Sequence, residues 1–190
     1  MKAANTYQIT LTDGQTLALE RVNDKATDLT QDQNMGVSAF VSAYANASDE
    51  EIQEHFTAPE KIRDYYNNLI EDYDIQPFRA GKMVWIRAFL QEKFVGWMGL
   101  EANFINKNTT YISTFVLDPM YEGKGIGEKM IASIADHWLP ETTELNLIVR
   151  NINHKALGFY RRMGFVPATE IEHHYVDNPR HCMFMRLRLS

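Results

Sequence analysis

The sequence predicts an α+β fold, with a mixed β-sheet flanked by helices. Three observations carry this. Alternating segments at 7–22 and 83–100 read as antiparallel hairpins. The back half alternates strand and helix periods. No Pro, Gly or Ser cluster marks a linker, so residues 1–190 are expected to form a single domain.

The elements follow in chain order. Residues 7–22 alternate around Asp13-Gly14, a turn dipeptide. Val37, Phe40, Val41 and Tyr44 recur at helical spacing and predict a helix over 35–46. Ser48 before Asp49-Glu50-Glu51 reads as an N-cap with Glu51 as its capping-box partner. Pro59 suits the first turn of another helix, whose predicted apolar face is Ile62, Tyr65, Tyr66, Leu69, Ile70 and Tyr73. Residues 83–90 and 94–100 read as strands about the turn Gln91-Glu92-Lys93. A third strand, 110–117, stops at Asp118-Pro119. Ile126, Met130, Ile131, Ile134, Ala135 and Trp138 share one face of a helix over 125–138. Residues 145–149 are a short buried strand. Ala156, Phe159, Tyr160 and Met163 mark a helix ended by Gly164, and 182–189 is a closing strand with Arg186 and Arg188 on one face.

Composition narrows the function. Hydrophobic residues at 45% and charged residues at 23% rule out disorder of the whole chain. With 25 acids against 19 bases the net charge is −6, which speaks against a dedicated nucleic-acid binder. The single cysteine, Cys182, excludes a disulfide-stapled secreted domain. The first twelve residues lack an apolar run, so no signal peptide is expected, and no stretch is long enough to cross a bilayer. A cytoplasmic protein without membrane or nucleic-acid partners is expected, as a monomer or a homodimer.

The most informative stretch is Asp118-Pro-Met-Tyr-Glu-Gly-Lys-Gly-Ile-Gly127, between a strand and an amphipathic helix. Its glycines let backbone approach a ligand closely, and the helix N-terminus offers unpaired N–H groups and a positive dipole end. Together these make an anion cradle. The P-loop spacing is absent, and the dinucleotide fingerprint fails because its third glycine comes one residue early. A plain strand–helix turn that binds nothing is the alternative.

This run resembles the pyrophosphate-binding segment of the GCN5-related N-acetyltransferases (GNAT), Arg/Gln-x-x-Gly-x-Gly/Ala, at Glu122, Gly123, Lys124, Gly125, Ile126 and Gly127. A second family segment follows at Leu147-x-Val149-x-x-x-Asn153-x-x-Ala156-x-x-Phe159-Tyr160-x-x-x-Gly164-Phe165. The resemblance covers about 85–165 and implies a GNAT-like fold, with acetyl-CoA as donor and no metal. It implies that backbone at Phe115, Val116 and Leu117 holds the pantetheine arm and polarises the thioester, that amides of Gly123 to Glu128 hold the pyrophosphate, and that Asn153 lies by the arm. It makes Tyr160 the general acid toward the departing thiolate; read by periodicity alone, Tyr160 is a core aromatic beside Phe159. The match departs at Glu122, where a carboxylate pointing inward would repel pyrophosphate; Lys124 and Lys129 are the nearby cations. In the branch acting on ribosomal-protein N-termini a Glu commonly occupies the place of Ile148, so that role is disfavoured.

No base is assigned by the sequence. Candidates are Glu101, Asp118 and the acids of 49–74, a segment with nine acids and two bases that reads either as an acceptor mouth for a cationic amine or as solvated helix faces. By the resemblance, helices there and a loop before the last strand flank the acceptor, making Tyr66, His173, His174 and Tyr175 candidate substrate contacts. His173, His174, His181 and Cys182 lack the convergence a metal site needs, and Cys182 reads as a structural thiol. The expected activity is direct acetyl transfer to a primary amine: a small cation, or a lysine or N-terminal amine of a peptide. A non-catalytic acyl-CoA-binding module is the alternative.

Overall fold

The computed structural model describes residues 5–45, 47–56, 58–175 and 180–189. The hairpin β1 (Thr6–Thr10) and β2 (Thr16–Val22) leads into helix α1 (Thr30–Ala43). Helix α2 (Asp49–His55) starts at the expected capping box, the Ser48 hydroxyl accepting from Glu51 N–H while the Glu51 carboxylate accepts from Ser48 N–H. A 3₁₀ turn at Pro59–Lys61 feeds α3 (Ile62–Ile70), which widens into a π-turn over Glu71–Ile75 before α4 (Gln76–Arg79). Strands β3 (Val84–Leu90), β4 (Lys93–Ala102) and β5 (Thr109–Leu117) form the expected meander. Then come α5 (Ile126–Ser133), continued by a π-turn to Trp138, β6 (Glu144–Arg150), α6 (His154–Arg162), β7 (Val166–Pro167), α7 (Thr169–Tyr175) and β8 (Cys182–Arg188).

The strands join one sheet of order β1-β2-β3-β4-β5-β6-β8-β7. Every pairing is antiparallel except β5 with β6. That parallel pairing has only three rungs, Thr109 to Glu144, Thr110 to Leu145 and Tyr111 to Asn146. Beyond them the two strands part, leaving a wedge in the sheet. The register of β4 against β5 also slips, from Gly99–Thr114 to Leu100–Ile112, so Ser113 is a bulged extra residue.

Two cores sandwich the sheet. One face packs Ile86, Met98, Leu100, Leu145 and Leu147 against Ile126, Met130, Ile131, Leu157 and Tyr160 of α5 and α6. The other packs Trp85, Trp97 and Val116 against Val37, Tyr44, Tyr66 and Ile70 of α1 and α3. A third, small cluster joins Ala168 and Phe184 to Ile148, Ile171 and Phe104.

The structure corrects several expectations. Helix α1 begins at Thr30, five residues before its predicted start at 35, because Asp32 is drawn inside by Arg87 and Trp85. Tyr73 is 68% exposed, whereas Asp74 is wholly buried. The π-turn inserts a residue, rotating the pattern so that the polar side chain takes the inward place. His173, His174 and Tyr175, expected in a loop before the last strand, belong to the helix Thr169–Tyr175. Phe184, on the supposed arginine face of β8, is buried by α7 and Phe104.

Candidate active site

A cleft of about 250 Å³ opens along the wedge, between α1, the end of β5, the start of α5 and α6. Sequence places its floor, since Phe115, Val116 and Leu117 lie on β5 past the last rung to β6 and line the cleft. The glycine loop forms one rim. Gly123 and Gly125 adopt the left-handed conformation, at φ +73° and +74°, and no heavy atom lies within 4 Å of where a Cβ would sit. Gly125 is the N-cap of α5, with no side chain capping that end, so the first amides of α5 lie open to the cleft rim. Glu122, Gly123, Gly125, Ile126, Gly127 and Glu128 all line it. Lys124 does not; its ammonium lies 5.1 Å from the centre of the Tyr121 ring.

Two residues the sequence reading missed supply the positive charge. Lys155 and Arg162 of α6 line the cleft, and Lys155 forms an ion pair with Glu122. The carboxylate that seemed hostile to an anion is thereby matched to a cation. Lys155 stands at an unassigned position of the second motif, so only the fold could show which way it points.

Asn153 caps α6, its Oδ1 accepting from Ala156 N–H at 3.0 Å, and also lines the cleft. Tyr160 lies in the same wall, 8% exposed, its ring in edge contact with Phe159 and Phe165. Burial raises its pKa, so the phenol keeps its proton at neutral pH.

The other candidates fall elsewhere. Tyr66 is a core residue, 4% exposed, with its hydroxyl bonded to that of Tyr44 and its ring stacked on Phe40, which does line the cleft. The Asp118 carboxylate caps the 3₁₀ turn at Pro119–Tyr121, accepting from Met120 N–H at 2.9 Å. Glu101 pairs across β4–β5 with Tyr111 on the face away from α5 and α6. The side chains of His173, His174 and Tyr175 lie outside the described residues. Among the described residues no group of three or more His, Cys, Asp or Glu could hold a metal ion, and no helix is long and apolar enough to cross a membrane.

On that same face lie two wholly buried polar groups, Asp74 and Asn146, and the half-buried Tyr111, with no motif around them. Asp74 Oδ2 accepts from Thr114 Oγ1 at 2.6 Å, while its Oδ1 has no hydrogen-bond partner. Gly99 makes room for this carboxylate, since a Cβ there would lie 2.9 Å from Oδ1. Desolvation pushes the Asp74 pKa up to about 6, against the opposing pull of the Thr114 and Ser113 hydroxyls. Asn146, wholly buried at the last rung of the wedge, has neither Oδ1 nor Nδ2 partnered. Beside it, Tyr111 is raised by burial first, then by Asp74 and Glu101, with a smaller contribution from Tyr160. One signal was legible beforehand: Asn146 interrupts an otherwise apolar strand, Leu145-Asn-Leu-Ile-Val149.

The profile of the Acetyltransferase (GNAT) family matches residues 46–165. The chain belongs to this family. It is a GNAT acetyltransferase, and the cleft described above sits where the two motifs of that family meet. A Bacillus subtilis (strain 168) protein, provisionally named as the alanine N-acetyltransferase of ribosomal protein bS18, is 25% identical over 136 residues, 71% of this chain and 83% of the relative. The PaiA N-acetyltransferase of Thermoplasma acidophilum, solved with coenzyme A, superposes with TM-score 0.62 at 20% identity, covering 90% of this chain and 99% of that one. A GNAT acetyltransferase of Elizabethkingia anophelis with acetyl-CoA bound gives 0.54 at 12% identity, covering 91% and 98%. These likenesses show the GNAT fold, an eight-stranded mixed sheet flanked by helices here.

Proposed function

We propose that this acetyltransferase moves the acetyl group of acetyl-CoA directly to a primary amine, with no acetyl-enzyme intermediate. The observation that carries the reading is that one cleft gathers strand-end backbone, uncapped helix amides and a protonated phenol. The pyrophosphate would rest on the amides of Gly123 to Glu128, with Lys155 and Arg162 as cationic neighbours. The pantetheine arm, itself an amide chain, would pair with the unpaired edge of β5 at Phe115 to Leu117, and Asn153 Nδ2 remains as a donor beside it. Backbone amides of that edge are fixed dipoles for the thioester carbonyl, where negative charge develops as the amine attacks. Tyr160 supplies a proton to the departing thiolate.

The acceptor we infer is cationic as it arrives, an alkyl ammonium of a small molecule or of a peptide. On the face away from α5 and α6, the acids beside the wedge are Asp74, held by Thr114, and Glu101, opposite Tyr111 at its last rung. Most of the other acids of 49–74 are exposed on helix surfaces, so the attraction rests on these two rather than on the whole segment.

The test is thermal stabilisation by acetyl-CoA, CoA, ATP and NAD in parallel, followed by Tyr160→Phe. Acetyl-CoA and CoA alone should raise Tm; a ligand at ~100 times its Kd adds about 2.7 kcal/mol. Tyr160→Phe should lower kcat by about 10²-fold or more with CoA affinity unchanged. Absence of a CoA shift would remove the donor assignment, and an unchanged kcat would remove the acid role.

A further inference from the structure

Resting on the acetyl-transfer reading, we propose that Asp74 takes the proton of the incoming ammonium, through the Ser113 hydroxyl, on the face of the wedge opposite the donor. The argument begins with direction. The cleft runs from α5 and α6 on one face of the sheet to Ala39, Phe40 and Ala43 of α1 on the other, so a donor seated against the glycine loop and α6 leaves the nucleophile the side of the wedge toward Asp74. The only break in the central sheet among the described residues is the wedge that opens after Tyr111 and Asn146.

What stands at that opening is chemically uneven. Hydrophobic groups form most of both cores, yet Asp74 and Asn146 are wholly buried on this face, and the half-buried Tyr111 is the strand partner of Asn146. Tyr111 lies within electrostatic reach of Asp74 and Glu101 on its own face and of Tyr160 on the cleft side. A buried carboxylate oxygen and a buried carboxamide, both without partners, are costly unless something else completes them. An alkyl ammonium has three donors and suits two such acceptors, Asn146 Oδ1 and the Ser113–Asp74 pair.

The bulge joins the buried acid to the opening. Ser113, the extra residue of β5, is half-buried, bonds weakly to the Tyr73 carbonyl at 3.4 Å and acts on the Asp74 carboxylate. Thr114, next in the chain, holds Asp74 Oδ2. Tyr111 is the titratable group within electrostatic reach of Asp74, and Gly99, whose backbone makes room for Oδ1, carries none. Among the described residues no cation contributes to its titration.

The step balances as follows. The ammonium N–H bond breaks, its proton passes to Ser113 Oγ as the Ser113 proton passes to Asp74, and the carboxylate becomes a carboxylic acid. The freed nitrogen lone pair forms the C–N bond, the C–S bond breaks, and the thiolate takes the Tyr160 proton. The second proton of the nitrogen returns to the Tyr160 oxygen, and Asp74 releases its proton to solvent.

Asp74→Asn and Ser113→Ala separate this role from a structural one. With spermidine and an N-terminal-alanine peptide as probes, wild-type kcat/KM should bend near pH 6. Asp74→Asn should lower it about 10²-fold or more at pH 7 and remove that bend, the loss shrinking as pH approaches the amine's own pKa. Ser113→Ala should lower it in the same pH-dependent way, and it keeps the test alive if Asp74→Asn does not fold. A uniform loss with the bend retained would overturn the proposal. A readout free of turnover is the Asp74 carboxyl carbon titrated by NMR, whose midpoint either probe should lower. A midpoint that ignores both amines overturns the proposal equally. CoA stabilisation, measured on the same proteins, keeps the outcomes distinct: lost in wild type, the donor reading fails; retained with an unaltered pH profile, only the role of Asp74 fails.

Discussion

Two aspartates, Asp32 and Asp74, are equally buried on the same side of the sheet, and they are built in opposite ways. Asp32 is saturated. Its Oδ1 accepts from Trp85 Nε1 and Arg87 Nε, both at 2.9 Å, its Oδ2 from Arg87 Nη2 at 2.6 Å, and its backbone carbonyl from Trp97 Nε1 at 2.8 Å. The two indoles so fixed stack 4.2 Å apart. Asp74 holds one hydroxyl at 2.6 Å and leaves an oxygen bare, with the bare carboxamide of Asn146 also on that face. A buried acid with a complete set of partners serves the fold; one left incomplete is poised for a guest or for a proton.

The largest expected effect breaks the saturated side. Asp32→Ala leaves a guanidinium and an indole N–H without their acceptor. It should cost about 3–5 kcal/mol, read by denaturant unfolding. Donor binding per folded molecule should survive.

The next sharpens the contrast by sign. Because the folded-state pKa of Asp74 lies above its ordinary value, the folded protein binds the extra proton, and stability falls as pH rises from about 4 to 6. A shift from 3.8 to about 6 corresponds to about 3 kcal/mol lost by neutral pH. Asp74→Asn should therefore be no less stable than wild type at pH 7.5 and lose its relative advantage toward pH 4, measured as the difference in Tm between the two across pH. Asp32→Ala should show destabilisation at neutral pH instead.

Asn146→Leu is a smaller step in the same direction. Removing two unpartnered polar atoms should stabilise by about 1–2 kcal/mol while lowering kcat/KM for the amine, and a loss of stability would mean that the carboxamide is structurally satisfied. The smallest expected effect is a control away from both aspartates. Ser48→Ala removes the capping box of α2 and should cost about 1 kcal/mol with turnover per folded molecule unchanged.

Much was legible in the sequence because it depends on local rules. The hairpin about Asp13-Gly14, the Ser48–Glu51 box and the glycine loop each follow from residues a few positions apart. The cleft shares that legibility, since its glycines and Asn153 lie in contiguous motifs around two helix starts. Lys155 needed the fold, because its partner Glu122 lies across the cleft on another element.

The face proposed for the acceptor was hidden for a physical reason. Helical periodicity placed Tyr73 inward, and a π-turn, which no local residue type announces, turned Asp74 inward instead. Glu101, Tyr111 and Asn146 come from β4, β5 and β6 and meet only through strand register, and Asp74 joins that face through Thr114 of β5. The sequence by itself determined the order of most elements, the glycine turn into α5 and the family. Only the tertiary structure decided which buried acid is complete and which is not, because that depends on partners brought from 40 to 55 residues away.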